Sequence, residues 1–141
     1  MTPGINAAKK SKITHTIHEY NHDSNAESYG LEAAEKLNID ANQVFKTLVV
    51  QLDNNKLAVA VLPVSALLSM KLIAKAAGSK KAAMASPADV ERSTGYVLGG
   101  VSPIGQKKRL KTYVDDSASQ YDSIFVSAGR RGLEIELAVS D

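Results

Sequence analysis

Three short constellations in this sequence hold residue types that could do chemistry. The first, GGVSPIGQKKR at residues 99–109, has P-loop glycine spacing from Gly100 to Gly105, but Gln106 stands where the lysine belongs. Pro103 removes a backbone N–H from the middle of that loop, and the residues after Gly105 run toward a strand instead of an amphipathic helix. A phosphate cradle needs consecutive N–H groups, a lysine and a following helix, so a nucleotide hydrolase is not supported. Two readings stay open: an irregular connection, or a loop whose adjacent Gly99 and Gly100 let backbone approach a ligand closely.

The second is Lys46, between Phe45 and the apolar run TLVV. It is either a strand-start lysine snorkelling to solvent or a half-buried ammonium suited to a phosphate or a developing oxyanion. The third is Ser127-Ala128-Gly129 with Glu134 and Glu136, two glutamates that share one strand face and fit a solvated edge equally well. A fourth pattern is rejected. His18-Glu19-Tyr20-Asn21-His22 spells H-E-x-x-H, which binds zinc only on a helix, whereas its flanks read as strand and then loop. On a strand the two histidines lie about 13 Å apart, too far for one tetrahedral ion. No Ser-His-Asp arrangement or nucleophile elbow is present, and there is no cysteine. An enzyme built on these residues must orient a substrate that is already activated.

The elements that position these groups follow from pattern. Thr2-Pro3 opens a helix to about Lys12, and residues 13–20 read as a strand. A loop at 21–28 precedes a helix over Gly30–Leu37 with Leu31, Ala34 and Leu37 as its buried stripe. Asp40 and Gln43 suggest a capping box before Val44. TLVVQL and LAVAVL form a hairpin around residues 53–56, with both faces covered. Helices follow at Ser69–Ala77, stopped by Gly78, and from Ser86-Pro87 to Gly95, then a brief strand at Tyr96–Leu98. Strands at 123–128 and 132–139 flank the Gly129–Gly132 turn. Short strands mixed irregularly with short helices predict one α+β domain over 1–141, a mixed, barrel-like curled sheet surrounded by short helices. The final Ser140-Asp141 are helix N-cap types, so a terminal helix is expected to be missing.

Composition narrows the function classes. With 44% hydrophobic residues, no membrane-length run and no apolar leader, a soluble cytoplasmic protein is expected. A net charge of +2 rules out a global field for nucleic acid, so the clusters Lys107-Lys108-Arg109 and Arg130-Arg131 matter only locally. Tryptophan is absent and phenylalanine scarce, which argues against a base-stacking platform.

Six segments occur in one order: MTP, Val44-Phe45-Lys46-Thr47-Leu48, LAVAVLP, Arg92-Ser93-Thr94-Gly95-Tyr96, Gly99–Gly105 and Ser127–Ile135. Together they resemble the YbaK family of Cys-tRNA(Pro) deacylases and the editing domain of bacterial prolyl-tRNA synthetases, over essentially the whole chain. The resemblance implies a cytoplasmic ester hydrolase without cofactor or metal, acting on tRNA(Pro) charged with a non-cognate amino acid beside prolyl-tRNA synthetase. It implies Lys46 as the essential lysine, near the terminal adenosine or its phosphate. The Gly99, Gly100 and Pro103 loop would face the amino acid, and Tyr20, Thr47, Ser127 and Gly129 would line the same pocket. Tyr29 stands where phenylalanine is associated with the family, and Glu134 where aspartate or glutamate is. The substrate's own thiol would attack, and Lys107, Lys108 and Arg109 would contact the tRNA backbone. Preference for Ala-tRNA(Pro), or a non-catalytic tRNA- or synthetase-binding module, are the alternatives.

Overall fold

In the computed structural model, residues 2–21, 29–53, 55–96, 100–108, 110–130 and 132–138 are described. The expected loop at 22–28, His22, Val97, Leu98, Gly99, Arg109 and Arg131, the chain end at 139–141 and the side chain of Tyr29 lie outside the described part.

Helix α1 (Pro3–Lys10) starts as expected, with Thr2 as N-cap accepting from the Ile5 N–H and proline in the first turn. Strand β1 (His15–Glu19) follows, then α2 (Tyr29–Lys36). The stripe of α2 is rotated from expectation: Glu32, Ala33 and Ala34 are buried, while Leu31 is 48% exposed. Two adjacent alanines let the helix lie close on Val44, Val64 and Phe125, which turns the longer leucine outward. The capping box is also not formed. Asp40 Oδ1 accepts from the Asn42 N–H at 2.9 Å, and the Gln43 amide reaches Ser123 O at 3.0 Å.

The predicted hairpin is β2 (Phe45–Leu52) with β3 (Leu57–Pro63), antiparallel from Phe45↔Pro63 to Gln51↔Leu57. Val49 and Val50 point to opposite faces and both are buried, as a sheet covered on both sides requires. Helix α3 (Met70–Ala76) is N-capped by Ser69, and α4 (Pro87–Thr94) is N-capped by Ser86 and ended by left-handed Gly95. Strand β4 (Ala82–Met84) pairs with residues 50–52 of β2, and β5 (Lys111–Val114) runs parallel to β3. A short 3-10 helix (Asp116–Gln120) leads to β6 (Ser123–Arg130) and β7 (Leu133–Ala138). Neither β4 nor the 3-10 turn was legible, because AAM and DSASQ are too short to show a period.

The chain is α+β, but the single curled sheet is replaced by two sheets, ordered β1-β7-β6 and β4-β2-β3-β5, neither closed. Among the described residues their backbones meet at one isolated parallel bridge, Val44↔Phe125. Farther along the same strand the Ala85 N–H takes Val49 O and β4 pairs with residues 50–52. The largest core cluster packs Phe45, Val59 and Val61 of the hairpin on Val126, Ile135 and Leu133 of the other sheet, with Ile5 and Ala8 of α1.

Candidate active site

The bridge explains how distant residues meet. β2 and β6 leave Val44 and Phe125 in the same direction, so Lys46 and Ser127 lie two residues beyond it and Thr47 and Ala128 three. Past this bridge the two strands belong to separate sheets. Ser127 pairs across with Glu134, and Glu134 with His18. Tyr20, just past β1, donates its N–H to Gly132 O at 3.0 Å. The topology thus brings Lys46, Ser127, Glu134 and Tyr20 together from four places in the chain.

On a regular strand, adjacent side chains leave opposite faces, so Lys46 and Thr47 diverge. Lys46 Nζ is half-buried and donates to Ala66 O at 2.6 Å. Burial lowers its pKa. Among the described residues this is its one hydrogen bond, which leaves two of the three ammonium protons for an anion. Thr47 goes inward between Phe45 and Val49. Its hydroxyl is the one buried side-chain polar atom among the described residues with no hydrogen-bond partner. Such an atom costs stability unless a ligand completes it. Thr47→Val is therefore expected to raise stability by about 1 kcal/mol in urea unfolding while weakening substrate binding. A variant destabilised by the change would show that the hydroxyl already has a partner.

The solvated-edge reading of Glu134 is overturned. It sits on β7, the central strand of its sheet, and is only 6% exposed. Burial pushes its carboxyl up to about 8. Beside it the Tyr20 phenol is pushed up to about 12, mainly by burial, with the charges of Glu134 and Glu32 adding and a Gly132 backbone hydrogen bond opposing. Glu32 is the residue that sequence reasoning missed. It is buried on α2, but in GLEAAEKL a glutamate reads as part of the solvated face, and only the rotation of α2 turns it inward. Glu136, two residues on from Glu134, is half-buried. It accepts from Ser123 Oγ at 2.6 Å and faces His18 Nε2 at 3.1 Å, and its pKa is lowered first by the Ser123 hydrogen bond. This Ser-Glu-His chain has its carboxylate in the middle, so the histidine cannot take a proton from the serine as a triad requires. His18 lies on β1, a strand, as the rejection of the zinc motif demanded.

The glycine loop packs on the start of α1. Gly100, Val101 and Ser102 are buried, and Pro103 is half-buried. Tyr96 donates its hydroxyl to Ile104 O at 2.7 Å, and the Gln106 amide donates to Ser102 O at 3.0 Å, which holds the loop shut on itself. Gly129 sits in a bulge of β6 between Ser127 and Arg130 with φ +118°, where a Cβ would come within 2.6 Å of the Tyr96 ring. Only glycine fits there. Its N–H donates to Ser127 Oγ at 3.1 Å, and Ala128 O accepts from the Thr2 hydroxyl. Loop, bulge and the start of α1 therefore form one packed unit. Lys107 and Lys108 donate their N–H groups to Thr94 O and Ser93 O, both at 2.9 Å. They close the C-terminus of α4, where cations are favoured. No hydrogen bond or ion pair links Lys46 to Tyr20 or Glu134 among the described residues.

Three kinds of similarity bear on this arrangement. A family model for the aminoacyl-tRNA editing domain matches residues 24–141. Among curated proteins, the chain is 49% identical over 105 residues to "Putative Cys-tRNA(Pro)/Cys-tRNA(Cys) deacylase EbsC" of Enterococcus faecalis (strain ATCC 700802 / V583), covering 74% of this chain and 64% of that one. It is 29% identical over 106 residues to the uncharacterized protein YwhH of Bacillus subtilis (strain 168), covering 75% and 67%. The chain thus spans about two thirds of the length of these relatives. The crystal structure of hypothetical protein APE2540 superposes with a TM-score of 0.85 at 21% identity, covering 96% of this chain and 88% of that one. That of "a putative trans-editing enzyme for prolyl tRNA synthetase" superposes with a TM-score of 0.83 at 18% identity, covering 98% and 85%. At those identities the two structures speak for the fold alone. No helix among the described residues is long and apolar enough to cross a membrane. The match over most of the chain decides its kinship: this protein belongs to the aminoacyl-tRNA editing domain family.

Proposed function

We propose that the chain is a trans-editing deacylase that removes cysteine wrongly esterified to tRNA(Pro), acting in transient contact with prolyl-tRNA synthetase. The observation that carries this reading is the set of groups that the Val44–Phe125 bridge brings level on one face of the sheets. It places an ammonium with protons to spare on the same side as a buried carboxyl, with the unpartnered Thr47 hydroxyl behind them on the core side. Such a set can hold and orient an ester without supplying a strong nucleophile. An aminoacyl ester is activated, so positioning alone accounts for a large share of the rate.

In this mechanism the substrate thiol gives up its proton and its sulfur attacks the ester carbonyl. The carbon–oxygen bond to the ribose breaks, the ribose oxygen takes up a proton, and water later opens the cyclic thioester to free cysteine. Lys46 steadies negative charge on the carbonyl oxygen or the adjoining phosphate. The Gly99–Pro103 loop walls the amino acid, and Tyr20, Tyr29, Thr47, Ser127, Gly129 and Glu134 define its pocket, while Lys107, Lys108 and Arg109 meet the tRNA backbone.

The test is loss of ester from tRNA(Pro) charged with cysteine, alanine or proline, with and without prolyl-tRNA synthetase. Release of cysteine, sparing proline, is the expected result. Release of alanine at the same rate would refute attack by the substrate thiol, since alanine has none. No release from any of the three would refute the enzyme.

A further inference from the structure

We propose that two grooves meeting at Leu110 form a track for the sugar–phosphate backbone of an RNA strand, leading it away from the glycine loop along both faces of β5. The proposal rests on the deacylase reading for the identity of the strand, and adds a binding surface to it.

The first groove, about 450 Å³, begins at Pro103 and Gly105 of the loop and runs past Gln106 and Lys108 to Leu110 and Thr112. The second, about 410 Å³, starts at the same Leu110 and is lined by Lys56, Lys111 and Tyr113. Alternation along β5 sends Thr112 and Lys111 to opposite faces, so the grooves flank this edge strand and meet at Leu110, the residue before it. Among the described residues, every charged residue lining either groove is a lysine. The cavity of about 330 Å³ beneath α3 has the reverse character: its charged lining is Asp115 and Asp116, and its rim carries the exposed Leu67 and Leu72. Charge is therefore sorted along β5, lysines at its start and aspartates just past its end, although the chain as a whole carries only +2. A polyanion gains nothing from so weak a global field and must find its cations locally.

A lysine on an edge strand can serve simply to block strand addition. That role explains Lys111 alone. It does not explain why the cations line two grooves that share Leu110, nor why the first groove starts at the glycine loop. The track is also preorganised. Lys107 and Lys108 are tied by their backbone to the end of α4, Gln106 is tied to Ser102, and the Gly105 backbone packs directly on Pro3. Rigid backbone beneath mobile ammonium groups suits phosphates, which need charge at a regular spacing and no base-specific contact.

The proposal is tested by fluorescence anisotropy with an end-labelled RNA hairpin copying an acceptor stem with its single-stranded 3′ end. The proteins are wild type, the Lys108→Ala/Lys111→Ala double variant, and Lys10→Ala on α1 as a control. The double variant is expected to bind about tenfold more weakly at low salt. The slope of log K against log salt should fall by about 1.4, or ~0.7 per cation removed on a single strand. Lys10→Ala should match wild type. If wild type binds the hairpin and the double variant binds it with the same affinity and slope, the track is refuted while the deacylase reading stands. If wild type binds polyglutamate but not the hairpin, the grooves belong to an acidic protein surface and the proposal falls. Failure of the deacylase reading is read separately, from wild-type ester release.

Discussion

Lys46→Ala is expected to lower deacylation of Cys-tRNA(Pro) by about 10²- to 10³-fold, the loss typical of removing one preorganised charge-stabilising donor. The size of the effect follows from where the ammonium sits. It is half-buried at the start of β2, one proton is committed to Ala66 O, and burial already lowers its pKa, so its charge acts through a medium less screening than water. The fold should survive. The hydrogen bond to Ala66 contributes about 1 kcal/mol, and Ala66 is half-exposed, so water replaces the lost donor. Single-turnover ester release and urea unfolding, measured on the same preparation, separate the two effects. A folded variant with wild-type turnover would remove Lys46 from the mechanism. Lys46→Arg should not restore activity, because a planar guanidinium cannot place its donors as a compact ammonium does.

Glu134→Gln is expected to abolish a pH dependence of stability that wild type shows between about pH 5 and 9. Burial raises this carboxyl from 4.5 to about 8 in the folded chain. Below the lower value both states hold the proton. Between the two values the unfolded chain releases it while the folded chain keeps it, so the folded state binds more protons and stability falls as pH rises. Above the upper value the loss is complete. At about 1.4 kcal/mol per pH unit the total reaches several kcal/mol, or on the order of 10 °C in Tm for a domain of this size. Glutamine keeps the shape and a neutral head, so its Tm should change little from this source and exceed that of wild type at pH 9. Thermal unfolding of both proteins across the range decides the matter. Parallel profiles would mean that Glu134 ionises in the fold as freely as in the unfolded chain. The same titration changes the pocket: below about 8 the carboxyl can donate a hydrogen bond to a substrate, and above it the group can only accept.

Local structure in this chain was legible wherever a backbone rule acts on neighbouring residues. Thr2-Pro3, Ser69 and Ser86-Pro87 each start a helix, Gly78 and Gly95 end two, and the β-branched hairpin pairs as its pattern requires. The broken P-loop was legible for the same reason, since Pro103 and Gln106 are local facts. What stayed hidden depends on which surfaces meet. Leu31 and Glu32 are adjacent on one helix, and only the close packing of Ala33 and Ala34 on Phe125 and Val44 decides that the glutamate goes inside and the leucine out. Glu134 and Glu136 looked equivalent as alternate residues of one strand, yet burial protonates the first while Ser123 and His18 keep the second charged.

The sequence by itself determined the elements, the candidate lysine and loop, and the family that their order resembles, because these rest on residue type and spacing along one chain. Tertiary structure alone decided that the expected single curled sheet is two, because which strands pair depends on contacts between segments far apart in the chain. It decided the site by the same act. The bridge between Val44 and Phe125 sets Lys46 level with Ser127 and, across the sheet, Glu134, while alternation turns Thr47 to the core.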